Sequence, residues 1–122
     1  MIQVTPQMKI MVAFHPADFR KGIDGIARLC RSELESDPFS GTMFVFRNRR
    51  KTAIKILVYD GQGFWLCHKR LSSSKFNYWP KATEHKATVI ESHELTVLIF
   101  GGDPNRMQTA PIWRRVRLNE NI

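Results

Sequence analysis

The sequence predicts a single compact α+β domain, in which an antiparallel sheet with a central β-hairpin (about 54–71) packs against a longer helix (about 18–34) and a short helix (about 92–100). The chain has 122 residues, the usual size of one domain, and its 43% hydrophobic and 25% charged residues are typical of a globular protein. Strand-like and helix-like segments follow one another without a repeat or linker. We therefore expect one domain over 1–104 and a basic, loosely ordered tail over 105–122.

The first third of the chain predicts a strand followed by the longer helix. Residues 9–14 are apolar and partly β-branched, and His15 ends this strand because a residue before proline avoids helical geometry. Asp18 is a suitable N-cap for the helix. Apolar residues then recur every three or four positions as far as Leu34, which places them on one helical face.

The rest of the chain contains the predicted hairpin and the short helix. Residues 42–46 are typical of a second strand, and the strand-like runs 54–59 and 64–71 are joined by Asp60-Gly61-Gln62-Gly63, which suits a tight turn. Alternation along the last of these strands predicts that neighbouring residues point to opposite faces. Residues 88–91 predict a short strand, and Ser92 can cap the helix that stops at Gly101.

The distribution of charge is the main functional signal. The net charge of +8 and the pI near 10.0 favour a polyanionic partner. Residues 1–46 and 87–122 are each neutral, whereas residues 47–86, the basic band, contain ten basic and two acidic residues. A short cationic run is often only a solvated loop, but the confinement of the whole excess to one segment favours phosphate binding. The predicted phosphate contacts in and beside the band are Arg47, Arg49, Arg50, Lys51, Lys55, Lys69, Arg70, Lys75, Arg20 and Lys21.

Four large aromatic residues lie within the same band. Unpaired bases stack on such rings, at about 1 to 3 kcal/mol per base. The alternative is that these rings close the hydrophobic core, where most large aromatic side chains are found. The candidate stacking residues are Trp65, Phe76, Tyr78 and Trp79.

Catalytic and metal sites find no support in the sequence. Metal-ion catalysis on DNA needs converging carboxylates, and acidic residues are scarce here. Cys67, His68, His85 and His93 lack the paired spacing of a zinc site, and no glycine-rich loop matches a phosphate-cradling motif. We therefore expect a protein that is not an enzyme and that uses no cofactor, metal or small-molecule substrate.

The sequence also predicts a cytoplasmic protein that does not contact a membrane. No apolar run approaches the roughly 20 residues that span a bilayer, and the N-terminal residues lack the apolar core of a signal peptide. Cys30 and Cys67 both lie in apolar periodic segments, where a reduced, buried thiol is the usual state.

Several short motifs occur in an order that is typical of one family. They are DFRKGIDG at 18–25, DPFSG at 37–41, FVFRNRR at 44–50, IKIL at 54–57, DGQGF at 60–64, KRL at 69–71, and Phe76 with Trp79-Pro80. In these motifs the chain resembles the small TnpB accessory proteins of the IS-sixty-six group of bacterial insertion sequences, which are unrelated to the RNA-guided nucleases of the same name. The resemblance covers about 14–102. It implies a protein that assists transposition beside a separate, larger transposase, and it provides no catalytic residue to transfer.

The leading hypothesis is a non-catalytic accessory protein of transposition that binds DNA at the element ends through the basic and aromatic band. The alternative is a protein–protein interaction module, in which the band and Trp79 dock on an acidic surface of the transposase or of another element-encoded subunit, with no DNA contact. A third interpretation is RNA binding through the aromatic residues, because single strands suit stacking.

Overall fold

The computed structural model describes residues 7–104, which form one five-stranded mixed sheet with a helix on each face. In chain order the elements are β1 (Ile10–Ala13), α1 (Ile23–Ser32), β2 (Met43–Arg47), β3 (Ala53–Tyr59), β4 (Phe64–Arg70), β5 (Ala87–Ile90) and α2 (Ser92–Ile99). The predicted α+β class is confirmed. The tail predicted over 105–122 lies outside the described residues. Neither of the two helices in the described range is long and apolar enough to cross a membrane.

The strand order in the sheet is β4-β3-β2-β1-β5. Three neighbouring pairs are antiparallel as predicted, but β1 and β2 are parallel, with Ile10 opposite Met43. The parallel pair arises because α1 forms the connection between the two strands, and a crossover through a helix returns the chain in its original direction. The hairpin of β3 and β4 lies at one edge of the sheet and not at its centre, because β1 occupies the other side of β2.

Alternation along the strands divides the core into two layers. The face that packs against α2 is closed by the loop between β4 and β5, and the opposite face packs against α1. Each aliphatic side chain that is fully buried in such a layer stabilises the fold by about 1.5 to 3 kcal/mol. The α2 layer consists of Ile10, Val12, Met43, Val45, Ile54, Ile56, Val58, Phe76, Trp79, Leu95 and Leu98. The α1 layer consists of Ala13, Ile26, Cys30, Phe44, Phe46 and Leu57.

Helix α1 begins later than predicted, and helix α2 begins at Ser92 within its predicted range but has a different capping residue. Helix α1 starts at Ile23 with Gly22 as its N-cap, because Asp18 is used in a separate turn that precedes the helix. Helix α2 is capped by Glu91 and not by Ser92. The Glu91 side chain accepts the Glu94 backbone N–H, and the Glu94 Oε1 atom accepts the Glu91 N–H at 2.8 Å. This reciprocal capping box satisfies two N–H groups that the first turn leaves open.

The turn between β3 and β4 follows the prediction from its sequence. The Asp60 Oδ1 atom accepts the N–H groups of Gln62 and Gly63 at 2.8 and 2.9 Å, and Gly61 has a φ of +97°. The Asp60 Oδ2 atom accepts the indole N–H of Trp65 at 2.7 Å. These hydrogen bonds to the carboxylate lower the pKa of Asp60 and hold the hairpin in register.

Candidate nucleic-acid interface

A groove lined by four arginines lies at one end of the sheet. The parallel strands β1 and β2 both end there, β3 begins there because it runs antiparallel to β2, and β4 returns there at Arg70. The groove has a volume of about 640 Å³, and we call it the arginine groove. Its lining residues are Pro16, Ala17, Asp18, Phe19, Arg20, Asn48, Arg49, Arg50, Thr52 and Arg70. Sequence segments that are up to 54 positions apart thus meet at a single cationic surface.

The loop that carries Arg49 and Arg50 is fixed by the Asn48 side chain. The Asn48 Oδ1 atom accepts the N–H groups of Thr52 and Ala53 at 2.9 and 3.0 Å, and its Nδ2 atom donates to the Thr52 hydroxyl at 2.9 Å. Lys51 adopts a left-handed backbone conformation with a φ of +65°, and its N–H donates to the Asn48 carbonyl. The two exposed arginines therefore stand at the tip of a rigid turn, which reduces the ordering cost of binding.

A second turn presents Arg20 on the opposite side of the groove. The Asp18 carboxylate accepts the Arg20 backbone N–H at 3.0 Å, the Nε–H at 3.0 Å and the Nη2–H at 2.7 Å. These bonds keep the pKa of Asp18 well below its usual range. Asp18 therefore shapes the turn and also neutralises part of the charge that Arg20 brings to the groove.

Lys55 anchors this second turn from inside the protein. Its side chain is only 6% exposed, and its ammonium group donates to the carbonyls of Phe19 and Lys21, both at 2.9 Å. The same ammonium lies 5.1 Å from the centre of the Phe19 ring. The sequence placed Lys55 among the phosphate contacts, whereas the structure directs its charge towards the backbone that carries Arg20.

Two more residues of the predicted phosphate-binding set have partners within the protein. The Arg47 Nη1 atom donates to the Phe76 carbonyl at 3.0 Å, and its guanidinium lies 4.7 Å from the ring centre of Trp79. Partial burial lowers the pKa of Arg47. The Lys69 ammonium donates to the Ile99 carbonyl at 2.7 Å, at the end of α2, where a positive charge stabilises the helix dipole.

The remaining predicted phosphate contacts are exposed on or beside the arginine groove. Arg20, Arg49, Arg50 and Arg70 line it, and Lys21 and Lys51 adjoin lining residues in sequence. The Phe76 N–H donates to the Lys51 carbonyl at 2.7 Å, which brings Lys75 next to the same loop. The structure thus places four of the ten predicted side chains in the lining of the groove, whereas Lys21, Lys51 and Lys75 are near it through their neighbours in the chain.

The four candidate stacking residues do not lie among these arginines. Phe76 and Trp79 are 1% and 7% exposed in the α2 layer, and the Trp79 indole N–H donates to the Ala13 carbonyl at 2.8 Å. Tyr78 is partly buried against the same layer. Trp65 is 43% exposed, but it lies beside the hairpin turn, at the end of the sheet away from the groove. The ring that does line the groove is Phe19, which also packs against the α1 layer.

Two residues that shape the groove, Asn48 and Asp18, were not recognised as such from the sequence. An asparagine directly before a cationic run was the available signal for the first, because its side chain commonly bonds to the backbone two or more residues ahead. Cys67 and His68 point to opposite faces of β4, as predicted. Within residues 7–104, no group of three or more His, Cys, Asp or Glu side chains is arranged to hold a metal ion.

Comparison with known proteins identifies relatives along nearly the whole chain. The family model described as "IS66 Orf2 like protein" matches residues 8–109. The chain is 35% identical over 118 residues to the uncharacterized protein y4jC of Sinorhizobium fredii, covering 97% of this chain and 99% of that protein. It is 32% identical over 111 residues to the uncharacterized protein y4hO of the same organism, covering 91% and 93% of the two chains. No solved structure matches the chain. The protein therefore belongs to the IS66 Orf2-like family of insertion-sequence-associated accessory proteins.

Proposed function

We propose that this protein is a non-catalytic accessory factor of insertion-sequence transposition that binds DNA through the arginine groove. The observation that supports this proposal is the convergence of Arg20, Arg49, Arg50 and Arg70 on one concave surface, whose only acidic lining residue within 7–104 is Asp18. Guanidinium groups suit phosphate because their planar donors make paired hydrogen bonds to its oxygens. Each neutralised phosphate also releases bound counterions, which makes the affinity fall with salt.

A salt titration tests whether phosphates are the ligand. Binding of the purified protein to a labelled duplex from an element end is measured by fluorescence anisotropy between about 50 and 300 mM salt. Counterion release makes the affinity depend strongly on salt over such a range. We expect the logarithm of the affinity to fall linearly with the logarithm of the salt concentration. An affinity that is independent of salt would contradict phosphate neutralisation. Competition with single-stranded RNA ranks the RNA interpretation against duplex DNA.

A triple substitution tests the groove itself. Arg49→Ala, Arg50→Ala and Lys51→Ala together remove three charges from the loop held by Asn48, and we expect the salt slope to fall by about 2 to 3 and the affinity by at least tenfold. The matched control is Lys9→Ala, Arg28→Ala and Arg31→Ala, which removes the same charge from residues that do not line the groove. Equal losses in both variants would show a dependence on net charge alone and would contradict a localised interface.

A second candidate is a protein-binding module for the transposase, and it is favoured by an aromatic cluster away from the groove. The rings of Phe39, Tyr59 and Phe64 lie 4.9 to 5.1 Å apart at the turn end of the hairpin, and Phe39 is 49% exposed. Exposed aromatic residues are common anchors of protein interfaces. Trp79 is buried, so this cluster replaces it as the anchor in the proposal. Co-elution with the transposase after nuclease treatment, and its loss in Phe39→Ser, tests this candidate.

A further inference from the structure

A small pocket lies on the α1 face directly beside the arginine groove. Its volume is about 160 Å³, and the segment from Pro16 to Asp18 lines both the pocket and the groove, so it forms the wall between them. The apolar side chains of the lining are Ala13, Ala17, Leu29, Leu34 and Phe46. The charged and polar side chains are His15, Asp18, Lys21, Glu33 and Lys86.

The parallel pair of strands creates this pocket. Because β1 and β2 end at the same edge, the chain that leaves β1 must cross the end of β2 before it reaches α1. The Ala17 N–H donates to the Arg47 carbonyl at 3.0 Å, which fixes the shared wall in place. A space remains between this wall and the C-terminal end of α1. The carboxyl ends of parallel strands are a frequent position for ligands.

The size and the lining of the pocket fit one planar ring. An apolar cavity of roughly 150 Å³ accommodates a single benzene ring. The pocket has nearly the same volume, and its walls include Leu29, Leu34 and Phe46. At the rim, the Lys86 ammonium lies 3.6 Å from the Glu33 carboxylate, so a donor and an acceptor stand together where the polar edge of a bound ring would emerge.

We propose that this pocket receives one unpaired base of a DNA strand whose phosphates lie in the arginine groove. The inference rests on the proposed DNA binding, because the cationic groove beside the pocket is what selects a nucleotide over other planar rings. The two sites share the wall from Pro16 to Asp18, so a base in the pocket and a phosphate in the groove would lie on either side of the same three residues. The volume of about 160 Å³ has room for one base and not for two stacked bases.

The test compares four labelled duplexes of the same sequence by fluorescence anisotropy. One is fully paired, and the others contain a single unpaired thymine, a single unpaired adenine, or a single abasic bulge. We expect the thymine bulge to bind about tenfold more tightly than the abasic bulge, which is at the lower end of the scale for one base against an aromatic side chain such as Phe46. The adenine bulge should also bind more tightly than the abasic one, because the two bases are of nearly equal size. Equal affinities for the thymine and abasic bulges would overturn the proposal. Any gain of a bulge over the fully paired duplex would then come from DNA flexibility and not from the base.

Two variants connect this preference to the pocket. Leu34→Trp fills the pocket from a residue that does not line the groove, and we expect it to abolish the thymine preference while the affinity for paired duplex stays within twofold. Lys86→Gln changes only the exposed rim and should reduce the preference about threefold without affecting the fold. Val89→Trp, on the exposed side of β5, is the control for adding a tryptophan. A thymine preference that survives in Leu34→Trp would overturn the proposal.

One further measurement separates this proposal from the proposed function. Thymidine monophosphate is titrated into the protein, and the methyl resonances of Leu29, Leu34 and Ala17 are followed by NMR. Shifts of the Leu29 and Ala17 methyls that saturate in the wild type and are not seen in Leu34→Trp support the pocket even if duplex DNA does not bind. Salt-dependent duplex binding without these shifts and without a thymine preference supports the groove and rejects the pocket.

Discussion

The ammonium group of Lys55 is surrounded by two backbone carbonyls and the ring of Phe19. At the scale of single residues, this is the clearest difference from the sequence-based interpretation. Lys55 lies in the apolar run 53–58, and a basic residue at such a position is either exposed at an edge or bonded inside the protein. The sequence alone cannot distinguish these cases, because the acceptors belong to residues more than 30 positions earlier.

Substitution of Lys55 tests this structural role. We expect Lys55→Met to reduce the free energy of unfolding by about 1 to 3 kcal/mol, because two partly buried carbonyls lose their charged donor. Urea denaturation measures this change. The control is Lys69→Met, which removes a single bond from a half-buried ammonium and should cost less. The slope of DNA affinity against salt should stay unchanged in Lys55→Met, and a decrease of about 1 would show that Lys55 contacts a phosphate after all.

The two cysteines differ in reactivity because their burial differs. Cys30 is fully buried against the sheet, and burial raises the pKa of its thiol to about 12, whereas Cys67 is exposed on β4. The reactive species is the thiolate, so Cys30 remains protonated and inert at pH 8. We expect iodoacetamide to add one label to the native protein, at Cys67, and a second label only in urea. Two labels at equal rates in the native protein would contradict the buried position of Cys30.

At the scale of elements, turns and short loops position the residues of the groove more than the helices and strands do. The hairpin could be predicted because Asp60 and Gly61 specify their turn locally, through bonds within three residues. The start of α1 could not, because Asp18 is an equally good N-cap and turn residue. Asp18 acts as a turn residue because its carboxylate accepts the Arg20 side chain. The distant Lys55 also holds this turn, because its ammonium donates to the Phe19 carbonyl.

The Asp18 turn predicts how the groove can be strengthened. Asp18→Asn keeps an acceptor for the Arg20 backbone N–H but removes the negative charge, so Arg20 becomes available to a phosphate. We expect tighter DNA binding and a salt slope that increases by about 0.9, the contribution of one added contact. Arg20→Gln should abolish this gain. If Asp18→Asn weakens binding instead, Arg20 does not act on DNA.

The pH dependence of this ion pair has a definite sign. The pKa of Asp18 is lowered in the folded protein, so its stabilising effect is present above the pKa of the unfolded state and is lost only as the pH falls through the lowered folded value. Acidification to about pH 4, near the ordinary pKa of an aspartate, therefore leaves the carboxylate charged and Arg20 paired. Both side chains are largely exposed, and the pair contributes to the shape of the turn more than to stability.

At the scale of the whole molecule, the basic residues behind the net charge of +8 have two different uses, although they lie together in the sequence. The basic band was predicted as one surface, but the structure divides it between internal contacts and the groove. Arg47, Lys55 and Lys69 satisfy carbonyl oxygens, and the exposed arginines converge. The groove also includes Arg20 from outside the band. Which residues share a groove depends on strand order, and the parallel pairing of β1 with β2 was not predicted.

Trp79 connects distant parts of the molecule and gives a prediction at this scale. Its indole N–H bonds to Ala13, 66 positions earlier, and its ring lies under the Arg47 guanidinium. We expect Trp79→Phe to lower the free energy of unfolding by about 1 to 3 kcal/mol while DNA affinity stays within twofold, because the ring is in the core. Trp65→Phe, which removes an exposed hydrogen bond to Asp60, should lower stability less than Trp79→Phe does. A selective loss of DNA affinity in Trp79→Phe would instead support stacking on a base.

The position of β1 in the sheet has a consequence for synthesis on the ribosome. Although β1 is the first strand to be translated, both of its neighbours come later, since β2 ends at Arg47 and β5 ends at Ile90. Ile10 and Val12 share their layer with Leu95 and Leu98 of α2, so this layer cannot close until almost the entire described chain has left the exit tunnel. At roughly 5 to 20 residues per second, the nascent chain carries these two apolar side chains unburied for several seconds. A factor that shields nascent apolar segments would therefore find Ile10 and Val12 of β1 unburied during this interval.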